Sequence, residues 1–434
     1  MLTKSFENLF YVMAVFLNMD VQRSLFVLYL LQVGLSHGEI GILQSILFFA
    51  NVALEIPSGL LADRYGRRVA LFSGFVGLVL NGIGFLLFTS FLPFAILFCI
   101  YGFSLAMSSG SDRALLYDNL VATGREGEYA KILSRIRSVG ALSLGASMLA
   151  GGLLYETWSW NGVYIIFAVS KLIGAILVVF LPEFKINKTT QSETVSAQKE
   201  PTNSENAAEG TRQPSNVRLI IKFFLSVKGR TLLPLFVGYG LFESATIPLY
   251  IYAQDLFANK GLSIPVIAAV YTGVEIITAG MFVMAGTVAN RWPLGRISCV
   301  TTVVITGLLF ILSLKTEPVI TIGVFLLIMS LPAFYETSYE TYINNNIESQ
   351  IRASCLSVSN LIISVLIGIS YTIFGRILDQ YSFSTALVIV AVVCLFGFGG
   401  VVISLTSRND DCAPLEKGKT VQSQKGHKGN IDSP

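Results

Sequence analysis

Long runs of apolar residues, each closed by a short polar loop, recur from one end of this 434-residue sequence to the other. An α-helix needs roughly 20 predominantly apolar residues to cross the hydrocarbon core of a bilayer. The pattern therefore predicts an all-α membrane protein with twelve transmembrane helices, which we number as spans 1 to 12. Their expected positions are residues 8–33, 40–61, 69–90, 92–121, 132–155, 161–182, 231–256, 264–288, 297–314, 318–344, 354–378 and 384–405.

Two stretches break this pattern with polar residues. Residues 186–215 are dominated by Thr, Ser, Gln, Asn, Glu and Lys, and residues 407–434 are polar and contain several lysines. Neither has enough apolar surface to fold, although the basic piece at 217–224 is amphipathic and predicts a helix on the membrane surface. The predicted domains are an N-terminal six-helix half (1–182), a cytoplasmic linker ending in this interfacial helix (183–230), a C-terminal six-helix half (231–406) and a disordered cytoplasmic tail (407–434).

Composition and charge agree with this organisation. Hydrophobic residues make up 53% of the chain and charged residues 13%, whereas soluble domains carry about 25% charged residues. The loops after even-numbered spans, with the adjoining helix ends, hold Arg64, Arg67, Arg68, Arg125, Lys131, Arg135, Arg137, Arg291, Arg296 and Arg352. Basic residues stay in the cytoplasm, so both termini are predicted to be cytoplasmic, in a bacterial inner (plasma) membrane. The net charge of +3 reflects this bias and indicates no nucleic-acid partner.

Two loops repeat one another half a chain apart. The loop after span 2 reads Gly59-Leu60-Leu61-Ala62-Asp63-Arg64-Tyr65-Gly66-Arg67-Arg68, and the loop after span 8 reads Gly286-Thr287-Val288-Ala289-Asn290-Arg291-Trp292-Pro293-Leu294-Gly295-Arg296. The first resembles the loop motif of the major facilitator superfamily, and the second resembles its weaker copy. The resemblance implies the major facilitator fold, in which two pseudo-symmetric six-helix halves face each other.

The resemblance also implies roles for the loop residues. Gly59 would let a neighbouring helix approach, and Gly66 would permit a tight turn. Asp63 and Arg67 would join an acid at the end of span 4, Asp118, in a charge cluster that holds the halves together in the outward-open state. In the second copy the corresponding positions are Gly286, Asn290 and Arg291. The alternative is that the arginines only follow the positive-inside distribution.

Charged residues inside the N-terminal spans are the next candidates, because charge in a bilayer is costly and marks functional paths or ion pairs. Asp20 and Arg23 are three residues apart on span 1 and are expected on one helical face. Asp112 and Arg113 lie on span 4, which is a neighbour of span 1 in this architecture. We predict a charge network in which Asp20 and Asp112 couple protons and Arg23 and Arg113 line the substrate cavity. The alternative is a purely structural set of ion pairs.

Glu55 on span 2 is the first candidate to carry a proton. No basic residue precedes it in its own span, so its charged form lacks a local partner and its neutral form is favoured in the membrane. The alternative is that its carboxyl group binds backbone groups freed by Pro57. Lys171, in the middle of span 6, is expected to pair with an acid.

The C-terminal half contains the acids Glu243, Glu275, Glu336 and Glu340. Glu336 and Glu340 lie one turn apart on span 10, among Tyr335, Tyr339 and Tyr342. Carboxylates and aromatic faces together suit cationic or amphipathic organic solutes, so Glu243, Glu336, Tyr339 and Glu340 are predicted to line the substrate cavity. The alternative is that the tyrosines are packing residues.

The sequence shows no enzyme motif, and its five cysteines form no CxxC pair, so neither a cofactor nor a metal site is predicted. The resemblance implies a secondary active transporter that works by alternating access in the lipid bilayer, as a monomer. We expect proton-coupled efflux of an amphipathic drug or metabolite, a small organic solute. Proton-coupled symport of a nutrient is the first alternative, favoured because span 5 has Gly151 and Gly152 but lacks the proline of the antiporter motif. A non-transporting receptor or scaffold on the same fold is the second.

Overall fold

The computed structural model describes residues 2–183, 227–347 and 349–409, and within these ranges the regular structure is helical. Most of the predicted linker (183–230) and tail (407–434) lies outside the described residues. The helices are α1 (Leu2–Asn18), α2 (Phe26–Gln32), α3 (His37–Tyr65), α4 (Arg67–Leu87), α5 (Phe91–Ser108), α6 (Ser111–Ala122), α7 (Tyr129–Val179), α8 (Val227–Asn259), α9 (Ile264–Arg291), α10 (Leu294–Ser313), α11 (Pro318–Ser330), α12 (Pro332–Asn346), α13 (Ser349–Gln380) and α14 (Phe383–Asn409).

These helices account for twelve spans. Over the described ranges, ten helical segments are long and apolar enough to cross a membrane. One of them contains α7, whose 51 residues at about 1.5 Å per residue are too long for one crossing. The backbone of Ser159 interrupts α7 with φ 54° and separates span 5 from span 6. Span 1 is made of α1 and α2 together, which completes the predicted count.

The two halves meet through equivalent pairs of spans. Span 2 (α3) lies against span 11 (α13), and span 5 lies against span 8 (α9). Because spans 2 and 5 of the first half correspond to spans 8 and 11 of the second, the interface is the one that a pseudo-two-fold axis along the membrane normal requires. The predicted fold is therefore confirmed.

Small residues bring the helices of each half together. Gly238 on span 7 (α8) faces Gly397 on span 12 (α14), where a Cβ on either residue would lie 2.5–2.6 Å from the carbonyl oxygen of the other. Gly174 on span 6 makes room for the ring of Phe75 on span 3 (α4). Close approach of small residues is the usual basis of helix packing in membranes.

The halves touch on one side of the membrane and are parted on the other. We call the face where span 2 begins at His37 the far side, and the face where it ends at Tyr65 the linker side. Toward the far side, the Ser45 hydroxyl donates to the Gly368 carbonyl. On the linker side, a Cβ on Gly59 or Gly286 would meet no atom within 4 Å. The close helix approach expected at Gly59 is thus wrong for this conformation, which is open to the linker side.

Span 1 differs from the continuous helix that its sequence predicts. The α-helix stops at Asn18 and resumes at Phe26, so Asp20 and Arg23 lie in a turn and do not share a helical face. Polar groups from neighbouring spans bind the backbone there, which makes the break possible inside a membrane. Span 4 is also interrupted, at Gly110 with φ +76°, and span 10 is interrupted between α11 and α12.

Candidate functional site: the central cavity

A cavity of about 510 Å³ lies between the two halves, a volume within the usual range for small-molecule sites. Both halves supply polar side chains to it, and aromatic side chains cover much of the remaining wall. Its polar lining comprises Asp20, Gln22, Arg23, Gln44, Asn81 and Tyr101 from the N-terminal half and Glu243, Thr246, Tyr250, Glu275, Thr278, Glu336 and Tyr371 from the C-terminal half.

Arg23 connects the charges of the two halves. The turn that breaks span 1 places it near Asp20, whose Oδ2 accepts a hydrogen bond of 3.3 Å from the Tyr101 hydroxyl. Across the interface, the Arg23 guanidinium lies 5.8 Å from the centre of the Tyr250 ring. The Tyr250 hydroxyl in turn donates to Glu275 Oε1 at 3.3 Å. Arg23 is therefore the cation of a group that spans both halves.

Two further acids line the cavity without a basic neighbour among the described residues. Glu243 on span 7 interacts with the hydroxyl of Tyr239 and is repelled by the charge of Glu336 on span 10. Ionising two neighbouring carboxylates away from bulk water is costly unless a cation or a proton joins them. The C-terminal wall can therefore attract a positively charged group.

Two of the cavity residues predicted in the C-terminal half lie elsewhere. Tyr339 is 3% exposed, its ring stacks on Tyr239 at 3.9 Å, and its hydroxyl lies 2.5 Å from Ser359 Oγ. It packs spans 7 and 10 together, as the alternative interpretation held. Glu340 is exposed and absent from the cavity wall, because one further turn of α12 carries it past the end of the cavity.

The predicted network between spans 1 and 4 is not formed. Gly110 ends the first part of span 4, so Asp112 lies in the first turn of α6, where a carboxylate is stabilised by the helix N-terminus. Its neighbouring cations are Arg113 and Arg137. Neither Asp112 nor Arg113 lines the cavity with Asp20 and Arg23.

Glu55 also lies outside the cavity lining, with an exposed side chain. Its carboxylate has no hydrogen-bond or ion-pair partner among the residues that the structure describes, so the bond to backbone freed by Pro57, which was the alternative interpretation, is absent there. The nearby Ser58 hydroxyl donates instead to the Glu55 carbonyl, at 2.8 Å. Its role as a proton carrier stays a prediction.

Lys171 binds backbone and not the acid that we expected. Its Nζ donates to the carbonyl oxygens of Phe16 and Leu17, at 3.0 and 2.9 Å. These are carbonyl groups at the end of α1, which the break in span 1 leaves without helical partners. The buried lysine therefore stabilises the broken helix.

A cluster of one histidine and two acids joins the two halves at the far side. The His37 ring on span 2 lies between two acids of the other half, with Nε2 3.0 Å from Asp255 on span 7 and Nδ1 3.3 Å from Asp379 on span 11. The Tyr252 hydroxyl donates to the His37 carbonyl at 2.9 Å. Because all these contacts cross the interface, they close the cavity on the far side.

The motif loop makes its contacts within the N-terminal half. Arg67 Nε lies 3.2 Å from Asp118 Oδ2, so the predicted pair is present, and Gly66 makes the turn between α3 and α4 with φ +104°. The sequence analysis did not identify Glu183, whose carboxylate accepts a 2.6 Å hydrogen bond from the Arg67 backbone N–H. It caps α4 from the end of span 6.

Asp63 and the loop of the second half remain free of this cluster. Asp63 is exposed, and so are Asn290 and Arg291. The cross-half role that the resemblance implies for them concerns the opposite conformation, in which the linker side is closed, and it stays a prediction.

We expect Arg67→Gln to slow the transport cycle by tenfold or more while solute binding changes less than twofold. The reason is that Arg67 pairs with Asp118 at the linker side, away from the cavity. Arg64→Gln is the matched control, since it removes a loop arginine whose guanidinium lies over Tyr65. Transport rate and solute affinity are measured separately in proteoliposomes. An equal loss of affinity in Arg67→Gln would contradict the assignment.

The sequence analysis did not identify the uncharged polar residues of the cavity. Gln22, Gln44, Asn81, Thr246 and Thr278 line the cavity but carry no charge. Gln44 and Asn81 are single amides within apolar runs. A polar side chain in such a run was the sequence signal that could have indicated a cavity position. Across the described ranges, no group of three or more His, Cys, Asp or Glu side chains is placed to hold a metal ion.

Comparison with known proteins shows the family to which this chain belongs. The sequence model of the Major Facilitator Superfamily matches residues 9–366. The chain belongs to this superfamily. A stretch of 136 residues, 31% of the chain, is 30% identical to an uncharacterized MFS-type transporter of Methanocaldococcus jannaschii. The match spans 32% of that relative, which is about a third of its length.

Solved structures agree on the fold. The nucleoside transporter NupG is similar with a TM-score of 0.69 at 14% identity, over 95% of this chain and 100% of that one. A D-xylose-proton symporter is similar with a TM-score of 0.66 at 14% identity, over 97% and 98% of the two chains. Since the family model places the chain in the Major Facilitator Superfamily and these structures share its fold, family and fold point to a multi-pass membrane transporter without enzymatic activity.

Proposed function

We propose that this transporter exports a cationic amphipathic organic solute in exchange for protons. The observation that carries the proposal is the charge balance of the cavity. Its wall holds four acids, Asp20, Glu243, Glu275 and Glu336, against a single arginine, Arg23. Arg23 lies near Asp20 and over the Tyr250 ring, whose hydroxyl binds Glu275, which leaves Glu243 and Glu336 for a positively charged substrate.

The apolar part of the wall supports an amphipathic substrate. Phe26, Phe48, Phe85, Phe98 and Phe282 line the cavity. Aromatic faces attract a cation through their quadrupole and bury the apolar body of the same molecule. An amine or quaternary ammonium group beside aromatic rings satisfies both features of the wall.

Alternating access is the proposed mechanism. The halves are fastened at the far side and parted at the linker side, so one of the two states that such a mechanism needs is the one described above. We place the linker side in the cytoplasm because the basic loops lie there. A solute would then enter the cavity from the cytoplasm and leave after the far side opens.

Proton exchange is proposed at Asp20, Glu55 and Asp112. Asp20 is buried in the cavity wall and faces Arg23 and Tyr101, so a change in its charge would be felt at the substrate site. Glu55 and Asp112 lie outside the cavity and would exchange protons without contacting the solute. Binding of protons and solute at separate positions permits one to drive the other.

We expect Glu55→Gln to bind solute normally but to lose the pH dependence of transport. The side chain has no partner in the described structure, so the variant should fold. Asp112→Asn and Asp20→Asn are compared with it, and transport is measured from pH 6 to pH 8 in proteoliposomes. Unchanged pH dependence in Glu55→Gln would move proton exchange to Asp20, to Asp112 or to the cavity glutamates.

Proton-coupled uptake of a polar nutrient is the second candidate. Gln22, Gln44, Asn81 and Thr246 offer amide and hydroxyl groups to a neutral solute, and the two similar structures are named as a nucleoside transporter and a D-xylose-proton symporter. Cells that overproduce the chain distinguish the candidates. An exporter lowers the accumulation of ethidium and a protonophore restores it, whereas a symporter raises the uptake of a labelled nucleoside or sugar.

A further inference from the structure

The break in span 1 has two ends, and each end is stabilised by a different part of the protein. In a continuous helix, the N–H of Asp20 would bind the carbonyl of Phe16, and the N–H of Val27 would bind the carbonyl of Arg23. Both hydrogen bonds are replaced by bonds to side chains. Unpaired backbone groups inside a membrane are costly, so the groups that replace these bonds determine where the helix can break.

The first end is held by the N-terminal half itself. The Asp20 N–H donates to Ser147 Oγ on span 5 at 2.9 Å, and Lys171 on span 6 binds the Phe16 carbonyl at 3.0 Å. Span 5 passes so close to the turn that a Cβ on Gly151 would overlap the Val21 carbonyl. These contacts lie within one half and can persist when the halves move relative to each other.

The second end is held by the other half. The Gln254 side chain on span 7 is fully buried. Its Oε1 accepts a 3.0 Å hydrogen bond from the Val27 N–H, and its Nε2 donates a 3.0 Å hydrogen bond to the Arg23 carbonyl. One carboxamide thus stands between the two groups that would otherwise bind each other. Insertion of a side chain into the helical ladder is a recognised cause of helix kinks.

We propose that Gln254 is a positioning residue that breaks span 1 only while the far side is closed, and thereby places Arg23 and Asp20 in the cavity. The proposal rests on the alternating access of the proposed function. When the halves part on the far side, Gln254 withdraws with span 7. The Val27 N–H and the Arg23 carbonyl then bind each other, and α2 grows by a turn toward Asp20.

This coupling has a consequence for the substrate site. Extending α2 through Arg23 turns its side chain away from the position that the break imposes and separates it from Tyr250 and Glu275. The cation that balances the cavity acids would therefore be present in one state and displaced in the other. Opening the far side would change the affinity of the cavity for a cation without any change in the acids themselves.

The test is a distance measured across the break in the full chain. Spin labels are attached at Val12→Cys and Val33→Cys, with the native cysteines replaced, in lipid nanodiscs and without solute. A continuous helix of 21 steps spans about 31 Å, and the broken span is shorter. Gln254→Met keeps the volume but lacks the amide, so its distance distribution is expected to shift toward the continuous value.

Two variants complete the design. Gln254→Asn keeps the amide but is one methylene too short to reach both groups, so its distance distribution should shift in the same direction as that of Gln254→Met. It therefore provides the same test if Gln254→Met folds poorly. Ser244→Ala on the same span removes a buried hydroxyl that binds only its own helix, at the Leu241 carbonyl, and should leave the distance unchanged.

A second label pair reports on the far side. Thr89→Cys and Lys315→Cys lie on exposed loops of opposite halves, and Gln254→Met should widen their distance as span 1 straightens. A Val12–Val33 distance that stays the same in both Gln254 variants would overturn the proposal. Because no substrate is used, absence of transport activity would contradict only the proposed function.

Discussion

Replacing Glu243 and Glu336 together by glutamine is expected to weaken the binding of ethidium at least tenfold. Both carboxylates line the C-terminal wall of the cavity and repel each other electrostatically, so a cation placed between them relieves this repulsion. A charge-assisted contact contributes on the order of 1.5–3 kcal/mol, and 1.4 kcal/mol corresponds to a factor of ten in affinity. Fluorescence titration of the purified protein measures the change.

Glu340→Gln is the matched control for this experiment. It removes a glutamate from the same helix, one turn beyond Glu336, and Glu340 is exposed and outside the cavity. Its affinity for ethidium should remain within twofold of that of the unmodified protein. If Glu340→Gln weakened binding as strongly as the double variant, the cavity would not be the substrate site.

Arg23→Gln should reduce transport by about two orders of magnitude and lower the thermal stability. The guanidinium is the cation near Asp20, Tyr250 and Glu275, and its removal leaves the buried Asp20 carboxylate without a compensating charge, which is destabilising. Asp20→Asn combined with Arg23→Gln should recover part of the stability, because the carboxylate is then no longer left alone. Differential scanning fluorimetry and transport by the same preparations measure both effects.

Arg113→Gln provides the comparison, since Arg113 is exposed and lies outside the cavity. Its stability and transport should change little. Additive stability losses for Asp20→Asn and Arg23→Gln would show that the two residues do not interact, and would contradict the group described here.

The sequence predicted the architecture well because membrane-spanning helices follow from apolar runs of fixed length. The repeat of the motif loop also predicted the pairing of halves, and the resemblance of its first copy to the superfamily loop predicted the contact between Arg67 and Asp118. Both signals are local, and neither depends on the conformation of the transporter. Glu183 was missed because it caps α4 from the end of span 6, more than a hundred residues away in the sequence.

The cavity was harder to predict because its outline depends on where helices break. Helical periodicity placed Asp20 and Arg23 on one face and joined them to Asp112. The structure breaks span 1 at Asp20 and span 4 before Asp112, and the groups separate. No propensity of Asn18 to Leu25 predicts the first break, since Ser147, Lys171 and Gln254 come from three other spans.

For the aromatic residues, the sequence analysis placed a packing tyrosine in the cavity and overlooked a tyrosine that lines it. Tyr339 was predicted to line the cavity with Glu336 because both lie on span 10, but its ring stacks on Tyr239 and packs the C-terminal half. Tyr250 on span 7 was given no role, although it faces Arg23 across the interface. The neighbouring helices determine which face of a helix lines a cavity. The sequence of a single span does not contain that information.

The most direct measurement of the central claim is gradient-driven transport in proteoliposomes. The solute is radiolabelled ethidium, whose permanent charge prevents it from crossing as a neutral base, and the membrane potential is clamped with potassium and valinomycin. If the protein exchanges protons for a cation bound at Glu243 and Glu336, ethidium accumulates when the lumen is acidic, and the double glutamine variant abolishes this accumulation. Accumulation only when the outside is acidic, or equal accumulation in protein-free liposomes, would contradict the account.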